Sequence, residues 1–218
     1  VPLFMLDQKL DSVVAKKLSI RKLRNINNSV WKRRLNKLKN PKEELVIAII
    51  GKYVELKDSY KSIYESLIHA SALLSKRIKI KWIHSEKIHS RNISKQLLNC
   101  QGVIIAPGFG SRGVNGKIIS VKYIRENKIP FLGICLGMQV AVIEFFRNVC
   151  GHKTAHSTEI NSKTKYPIID LMKDQADIIY KGGTMRLGTY SCKLSEGSKS
   201  YCAYGEQVIQ ERHRHRYE

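Results

Sequence analysis

The fold of this chain is decided by the stretch Phe131-Leu-Gly-Ile-Cys135-Leu-Gly-Met-Gln139. The apolar residues before the cysteine predict a buried strand, and the residues after it predict the start of a helix. One glycine stands two residues before the cysteine and another stands two residues after it. This Gly-x-Cys-x-Gly pattern is the layout of a nucleophile elbow, with cysteine where hydrolases often carry serine.

Cys135 is the candidate nucleophile of this elbow. A helix N-terminus lowers the pKa of a thiol, because the helix dipole and the free backbone N–H groups favour the thiolate. We expect Gly133 and Gly137 to let the backbone turn tightly and to leave the sulfur open to a substrate. The alternative interpretation is a buried structural cysteine, and the glycines on both sides favour the functional one.

Outward from the elbow, apolar strand patterns and helical patterns alternate. The predicted strands are 45–50, 78–83, 103–106 and 129–134, and the predicted helices are 59–74, 94–98, 117–127 and 136–149. The alternation predicts an α/β fold with a mostly parallel sheet and helices on both faces. The last of these helices is apolar almost all round, so we expect it to be buried. Active sites of such sheets lie outside the carboxyl ends of the strands, where both Gly108 and Cys135 fall.

A second candidate element is the loop Ala106-Pro107-Gly108-Phe109-Gly110. A thiolate that attacks an amide carbonyl creates negative charge on oxygen, which backbone N–H groups stabilise. Gly108 and Leu136 are the candidate donors, since Pro107 has no N–H. An ordinary glycine turn remains the alternative interpretation of this loop.

Composition limits the possible class of protein. The chain has 218 residues, of which 43% are hydrophobic, so a packed core is available. No apolar run approaches the roughly 20 residues of a membrane span, and we expect no membrane partner. The five cysteines are scattered without C-x-x-C spacing. This pattern argues against a metal site and fits a reducing, cytoplasmic location.

The chain carries a formal net charge of +21, which would allow binding to nucleic acid. Residues 1–42 alone hold twelve Lys or Arg against two Asp, with helical patterns that end at Asn40-Pro41. This segment is too small to bury its own core, so we expect it to pack on a neighbour. The remaining lysines are spread without interleaved aromatic residues, which argues against a nucleic-acid partner.

Several motifs together carry a family resemblance. The elbow and Glu144-Phe-Phe-Arg-Asn148 resemble the class I glutamine amidotransferases. Further motifs resemble the CTP synthases among them, in the same order: Gly51-Lys-Tyr-Val-Glu-Leu-Lys-Asp-Ser-Tyr-Lys-Ser62, Phe109-Gly-Ser-Arg-Gly113, Ser157-Thr-Glu159, Gly183-Thr-Met-Arg-Leu-Gly188 and Glu211-Arg-His-Arg-His-Arg-Tyr-Glu218. The resemblance covers essentially the whole chain. It implies a flavodoxin-like fold that is incomplete at its C-terminal end.

The resemblance also implies roles for individual residues. Cys135 would be the glutaminase nucleophile, which forms a glutamyl thioester and releases ammonia. Glu159 would hold the α-amino group of L-glutamine, and Arg216 would hold its α-carboxylate. The groups implied to contact the glutamine and its oxyanion are Gly108, Leu136, Gly137, Met138 and Gln139.

The resemblance implies two domains. Residues 1–42 would be a basic helical linker that joins a synthetase domain to the amidotransferase domain, residues 43–218. In the intact enzyme of the family, a homo-oligomer, ammonia from glutamine aminates ATP-activated UTP to CTP in pyrimidine nucleotide biosynthesis. ATP and Mg²⁺ would bind only in the synthetase domain, so we expect no cofactor in this chain.

Catalysis by the family needs a base that this sequence does not supply. The family carries a His-Pro-Glu motif downstream of the Arg-Tyr-Glu tail, and the 218 residues contain none. We transfer the role of base to no residue, and we expect the chain alone to be inactive. Pro107 and Ile160 also depart from the residues common in the family, glycine and phenylalanine. A non-catalytic remnant that acts as a binding module and a basic nucleic-acid-binding protein remain the alternatives.

Overall fold

The computed structural model describes residues 2–20, 27–176 and 186–218. Its helices are α1 Pro2–Asp7, α2 Leu10–Lys17, α3 Ser29–Lys39, α4 Lys61–Leu74, α5 Ile93–Gln96, α6 Val114–Glu126, α7 Leu136–Asn148 and α8 Lys199–Tyr204. Its strands are β1 Glu43–Gly51, β2 Lys76–His84, β3 Gly102–Ile105, β4 Phe131–Gly133, β5 His156–Ser157, β6 Pro167–Ile169, β7 Arg186–Lys193 and β8 Val208–His215.

A four-stranded parallel sheet lies at the centre of the described part, in the order β2-β1-β3-β4. Consecutive side chains of β1 and β3 point to opposite faces of the sheet. Ile50 and Ile105 pack with α6 and α7 on one face, whereas Ile49 and Ile104 pack with Tyr60 and the α4 side on the other. The predicted α/β fold with helices on both faces of a mostly parallel sheet is therefore confirmed.

Helix α7 is less completely buried than its composition predicts. Met138 is 50% exposed and Phe145 is 46% exposed, although both are large and apolar. The polar Gln139 and Glu144 are buried instead. Glu144 can be buried because Arg125 of α6 donates to its carboxylate from two nitrogens: Nε contacts both carboxylate oxygens at 2.9 and 3.2 Å, and Nη2 contacts Oε1 at 2.8 Å. The expectation of an all-round apolar contact surface was wrong for this helix.

The basic N-terminal segment is helical where it is described, but its apolar residues stay largely exposed. Val13, Val14 and Leu18 are exposed, and only Ala15 of α2 is buried. Helix α3 contacts α4, where Lys37 Nζ donates to the Leu73 carbonyl oxygen over 3.0 Å. The division into residues 1–42 and 43–218 stays a prediction.

The C-terminal part forms two further small sheets. Strands β5 and β6 pair in parallel, and β7 and β8 form an antiparallel pair. The end of the chain pairs with residues 170–172: Glu218 and Asp170 exchange two hydrogen bonds of 2.9 Å, and Leu171 lies opposite Tyr217. The motif Gly183-Thr-Met-Arg-Leu-Gly188 lies partly outside the described residues, and β7 begins within it at Arg186.

None of the helices in the described part of the chain has the length and apolar character needed to cross a membrane.

Candidate active site

Cys135 lies at the turn between β4 and α7, with φ 54° and ψ −113°. A residue with a side chain rarely adopts this conformation, which costs on the order of 1–3 kcal/mol and recurs at functional sites. It is the strained strand-to-helix turn that defines a nucleophile elbow. The strain is carried by the cysteine itself, since neither flanking glycine has a positive φ.

The two flanking glycines supply space rather than a special turn conformation. A Cβ atom on Gly133 would lie 2.7 Å from the backbone of Gly137 and Met138. A Cβ atom on Gly137 would overlap the carbonyl oxygen of Ile105. The glycines therefore let α7 begin directly against β3 and β4. The tight turn expected of these glycines thus depends on their small size and not on a positive φ.

The protonation of the Cys135 thiol is set by opposing effects. Burial raises its pKa, and the negative charge of Glu159 acts in the same direction. A hydrogen bond from the Leu136 N–H and the positive charge of Lys117 lower the pKa. Burial is the largest effect, so the pKa lies above its ordinary value although the N–H at the helix N-terminus lowers it as predicted. The thiol needs a proton acceptor to become nucleophilic near neutral pH.

The loop 106–110 lies beside the elbow and is held by three side chains. Lys117 Nζ donates to the Ala106 carbonyl oxygen over 2.7 Å, and Lys52 Nζ donates to the Phe109 carbonyl oxygen. The Gly110 N–H donates to Glu159 Oε1 over 2.8 Å. Gly108 packs close to the Leu136 side chain, so the two predicted oxyanion donors belong to adjoining segments.

A cleft of about 370 Å³, open to solvent, lies over the elbow. Its walls are formed by Gly108, Phe109, Cys135, Gln139, Glu159, His215, Arg216 and Tyr217. Five predicted site residues thus meet at one cleft: Gly108, Cys135, Gln139, Glu159 and Arg216. Leu136, Gly137 and Met138 do not line the cleft; the Leu136 side chain is in the core and that of Met138 is half exposed. Their assignment to substrate stays a prediction.

The wall opposite the elbow is formed by the end of the chain. Arg216 Nη1 donates to the buried Gln175 Oε1 over 2.7 Å, which orients the guanidinium. Gln139 Nε2 donates to the Tyr217 carbonyl oxygen over 2.9 Å and so ties this wall to α7. Sequence reasoning missed the contributions of Phe109, Tyr217 and Gln175. Phe109 and Tyr217 stand in quoted motifs, but their residue types carry no signal for a cleft.

His215 also lines the cleft, but both of its ring nitrogens already have partners. Its Nδ1 lies 3.1 Å from the Tyr217 carbonyl oxygen, so Nδ1 must carry the proton and donate it. Its Nε2 lies 2.8 Å from His213 Nδ1 and then serves as the acceptor. In this arrangement the lone pair of His215 is occupied, and it is not available to accept a proton from Cys135.

His84 at the end of β2 is followed two residues later by Glu86, the same spacing as the histidine and glutamate of the His-Pro-Glu motif. Their side chains approach each other at 3.9 Å, and His84 also lies 3.6 Å from Glu55. Neither residue lines the cleft. This pair therefore lies apart from the cleft and does not act on Cys135.

Comparison with known proteins defines the class. The sequence model of the family described as "Glutamine amidotransferase class-I" matches residues 55–218, three quarters of the chain. The chain belongs to the class I glutamine amidotransferases.

Within that class the chain is similar to CTP synthases. It is 53% identical over 218 residues to the CTP synthase of Cytophaga hutchinsonii and 52% identical to that of Clostridium acetobutylicum. All of this chain is covered, but it spans only about 40% of the length of these relatives. A solved structure of the Trypanosoma brucei CTPS glutaminase domain with bound acivicin superposes with a TM-score of 0.73 at 36% identity, covering 80% of this chain and 67% of that one.

Proposed function

We propose that this chain is the glutamine-hydrolysing part of a CTP synthase and that Cys135 is its nucleophile. The observation that carries the proposal is the cleft in which Cys135 of the elbow faces Glu159 and Arg216. A carboxylate and a guanidinium that line the same cleft suit the α-amino and α-carboxylate groups of an amino acid. A side chain of such a substrate would then point toward the sulfur.

In the proposed reaction the Cys135 thiolate attacks the side-chain amide carbon of glutamine. The negative charge on the carbonyl oxygen is stabilised by the N–H groups of Gly108 and Leu136. The C–N bond breaks once the nitrogen has gained a proton, and ammonia leaves a glutamyl thioester. Water hydrolyses the thioester to glutamate and restores the thiol.

Removal of the thiol proton and of a proton from the attacking water both require a base, which then returns a proton to the leaving nitrogen and to the thiolate, and we propose that no such group acts in the isolated chain. The His215 lone pair is occupied by His213, and the proposal therefore predicts binding and slow alkylation without sustained turnover. The family's remaining activity, ATP-dependent amination of UTP to CTP with Mg²⁺, is assigned by this proposal to a synthetase domain. Assembly into a homo-oligomer and a cytoplasmic location belong to the same proposal.

The test treats the purified 218-residue chain with acivicin, the compound bound in the Trypanosoma brucei glutaminase domain. Trypsin releases peptide 129–147, in which Cys135 is the sole cysteine, so mass spectrometry reports its adduct alone. We expect an adduct that excess L-glutamine suppresses, and no sustained release of ammonia from L-glutamine.

Two outcomes would contradict the proposal. If iodoacetamide modifies Cys135 but acivicin does not, the sulfur is reactive and the cleft does not recognise an amino acid. If ammonia is released over many turnovers, the chain holds a base and its predicted inactivity is wrong. The Cys135→Ala variant is the control for adducts at other positions.

A further inference from the structure

Two lysine side chains are buried beneath the loop 106–110, in a place where ammonium groups are rarely found. Lys117 of α6 is 0% exposed, and Lys52, which follows β1, is 5% exposed. Moving an ammonium group out of water is costly unless it finds partners. Among the described residues neither lysine pairs with a carboxylate, and each donates to a backbone carbonyl oxygen instead.

These two ammonium groups fix the peptides on both sides of Gly108. Lys117 holds the peptide before Pro107 through the Ala106 carbonyl, over 2.7 Å. Lys52 holds the Phe109 carbonyl, and the N–H of the same peptide donates to Glu159 over 2.8 Å. The peptide that carries the Gly108 N–H lies between these two anchored peptides, so its orientation follows from theirs.

Lys117 also lies close to the reacting groups. Its Nζ is 3.8 Å from the place that a Cβ atom on Gly108 would occupy. Its charge lowers the pKa of Cys135, and a Cys135 thiolate in turn raises the pKa of Lys117. Both the orientation of a predicted oxyanion donor and the charge state of the nucleophile thus depend on one buried side chain.

We propose that Lys117 is a positioning residue of the amide-hydrolysing site, which orients the Gly108 peptide and stabilises the Cys135 thiolate by its buried positive charge. This inference rests on the function proposed above, in which Cys135 attacks an amide. Lys117 itself does not line the cleft and makes no contact with substrate. It acts by holding the loop 106–110 and by the electrostatic effect of its charge on the Cys135 sulfur.

The charges around Lys117 and Cys135 set the pH range in which Lys117 stabilises the Cys135 thiolate. Burial is the largest effect on Lys117 and the positive charge of Lys52 is the second, and together they lower the pKa of Lys117 to about 8. Glu159 acts against the thiolate, whereas Lys117 and the Leu136 N–H favour it. Below pH 8 Lys117 keeps its proton, and its charge then lowers the pKa of Cys135. Above that pH the lysine becomes neutral and the stabilisation disappears.

Three variants separate charge from packing. Lys117→Met removes both the charge and the hydrogen-bond donor, whereas Lys117→Gln removes the charge and keeps an N–H that can reach toward Ala106. Lys122→Met is the matched control, because Lys122 is an exposed lysine on the same helix. A lysine that served packing alone would change stability without changing the titration of Cys135.

The measurement is the rate of iodoacetamide modification of Cys135 between pH 6 and 10, read on peptide 129–147. We expect both Lys117 variants to react about tenfold more slowly near pH 7 and to approach the rate of the unaltered chain at the alkaline end of the range, where Lys117 is neutral. Lys122→Met should match the unaltered chain. A folded Lys117→Gln variant with an unaltered profile would overturn the inference.

Two further results keep the test decisive. If both Lys117 variants fail to fold, the profile of the unaltered chain must show a second inflection near pH 8 from the coupled lysine, and a single titration would overturn the inference. Iodoacetamide needs no recognition of glutamine. If the Lys117 variants change the iodoacetamide profile but acivicin does not label Cys135, only the proposed function is contradicted. If acivicin labels Cys135 but the Lys117 variants leave the iodoacetamide profile unchanged, only this inference is contradicted.

Discussion

Gly137 and Ile105 pack so closely that no side chain fits between the first turn of α7 and strand β3. A Cβ atom on Gly137 would overlap the Ile105 carbonyl oxygen and lie 2.9 Å from its carbonyl carbon. The obstacle is backbone in the middle of the sheet, which cannot rotate away as a side chain can. The position of the nucleophile is therefore set by a contact between two backbones.

Gly137→Ala should be strongly destabilising. We expect the free energy of unfolding to fall by about 3 kcal/mol or more, because overpacking against backbone forces α7 away from the sheet. Urea unfolding followed by circular dichroism measures the change. Gly102→Ala is the matched control, since its new methyl group would be tight only against the movable end of the Ile47 side chain at 3.1 Å and would meet the Pro130 carbonyl oxygen at an ordinary contact distance of 3.6 Å. Equal effects for the two variants would contradict this account.

Cys135→Gly should be more stable than Cys135→Ala. At ordinary positions glycine costs roughly 0.5–1 kcal/mol relative to alanine, but at φ 54° and ψ −113° it relieves backbone strain. We expect glycine to exceed alanine by about 1 kcal/mol in urea unfolding. The same pair of substitutions at Cys100, which has no positive φ, should show the opposite order. If Cys135→Ala is more stable than Cys135→Gly, the backbone of the elbow is unstrained.

Arg125→Gln should destabilise the chain by about 3 kcal/mol, because it leaves the carboxylate of Glu144 buried without its charged partner. Glu144 is 1% exposed and receives two hydrogen bonds from the guanidinium. The control is Glu126→Gln, which removes an exposed carboxylate 3.7 Å from the same arginine. We expect its effect to stay within about 0.5 kcal/mol. Urea unfolding of the two variants at pH 7 tests the difference.

Lys117 should make stability depend on pH in the alkaline range. Its pKa is about 8 in the folded chain and 10.5 as the ordinary value, so the folded state binds fewer protons between these limits. Stability rises with pH wherever the unfolded state binds more protons. In a Cys135→Ala background, the chain with Lys117 should therefore gain about 2 kcal/mol over its Lys117→Met counterpart between pH 7.5 and 10. A constant difference across this range would show that Lys117 is not perturbed.

Glu159→Gln should slow acivicin labelling of Cys135 by at least about tenfold, because a neutral amide attracts the α-amino group of the reagent less strongly. Iodoacetamide has no α-amino group, so its reaction with Cys135 should not slow. Glu206→Gln is the control for an exposed glutamate away from the cleft. If both reagents slow equally, Glu159 acts on the loop through Gly110 rather than on the substrate.

The parallel sheet and the elbow could be predicted from sequence because both depend on local patterns. The apolar runs of β1 and β3 are continuous, as expected for strands buried on both faces, and the Gly-x-Cys-x-Gly pattern marks the turn at Cys135. Glu159 and Arg216 were assigned only through the resemblance. Nothing in the local sequence around either residue indicates that it reaches the cleft.

The buried charges could not be predicted, because their burial depends on partners far away in sequence. From its residue type Lys117 would be expected at the surface, because the sequence does not show that the Ala106 carbonyl accepts a hydrogen bond from it. Glu144 would be expected on the solvent-exposed face of its helix, because the sequence does not show that Arg125 of the preceding helix pairs with it. The net direction of the Cys135 pKa shift could not be predicted for a similar reason, since the extent of its burial is a property of the whole fold.

The cleft joins side chains from separately hydrogen-bonded units. Cys135 follows the four-stranded sheet, whereas Arg216 follows the β7–β8 pair, which forms its own sheet among the described residues. The hydrogen bond from Gln139 to Tyr217 links the two across the cleft. If Arg216 recognises a substrate as proposed, that recognition can diversify by mutation without disturbing the backbone contacts that hold the nucleophile, so reactivity and selectivity would be separable traits in the evolution of this fold.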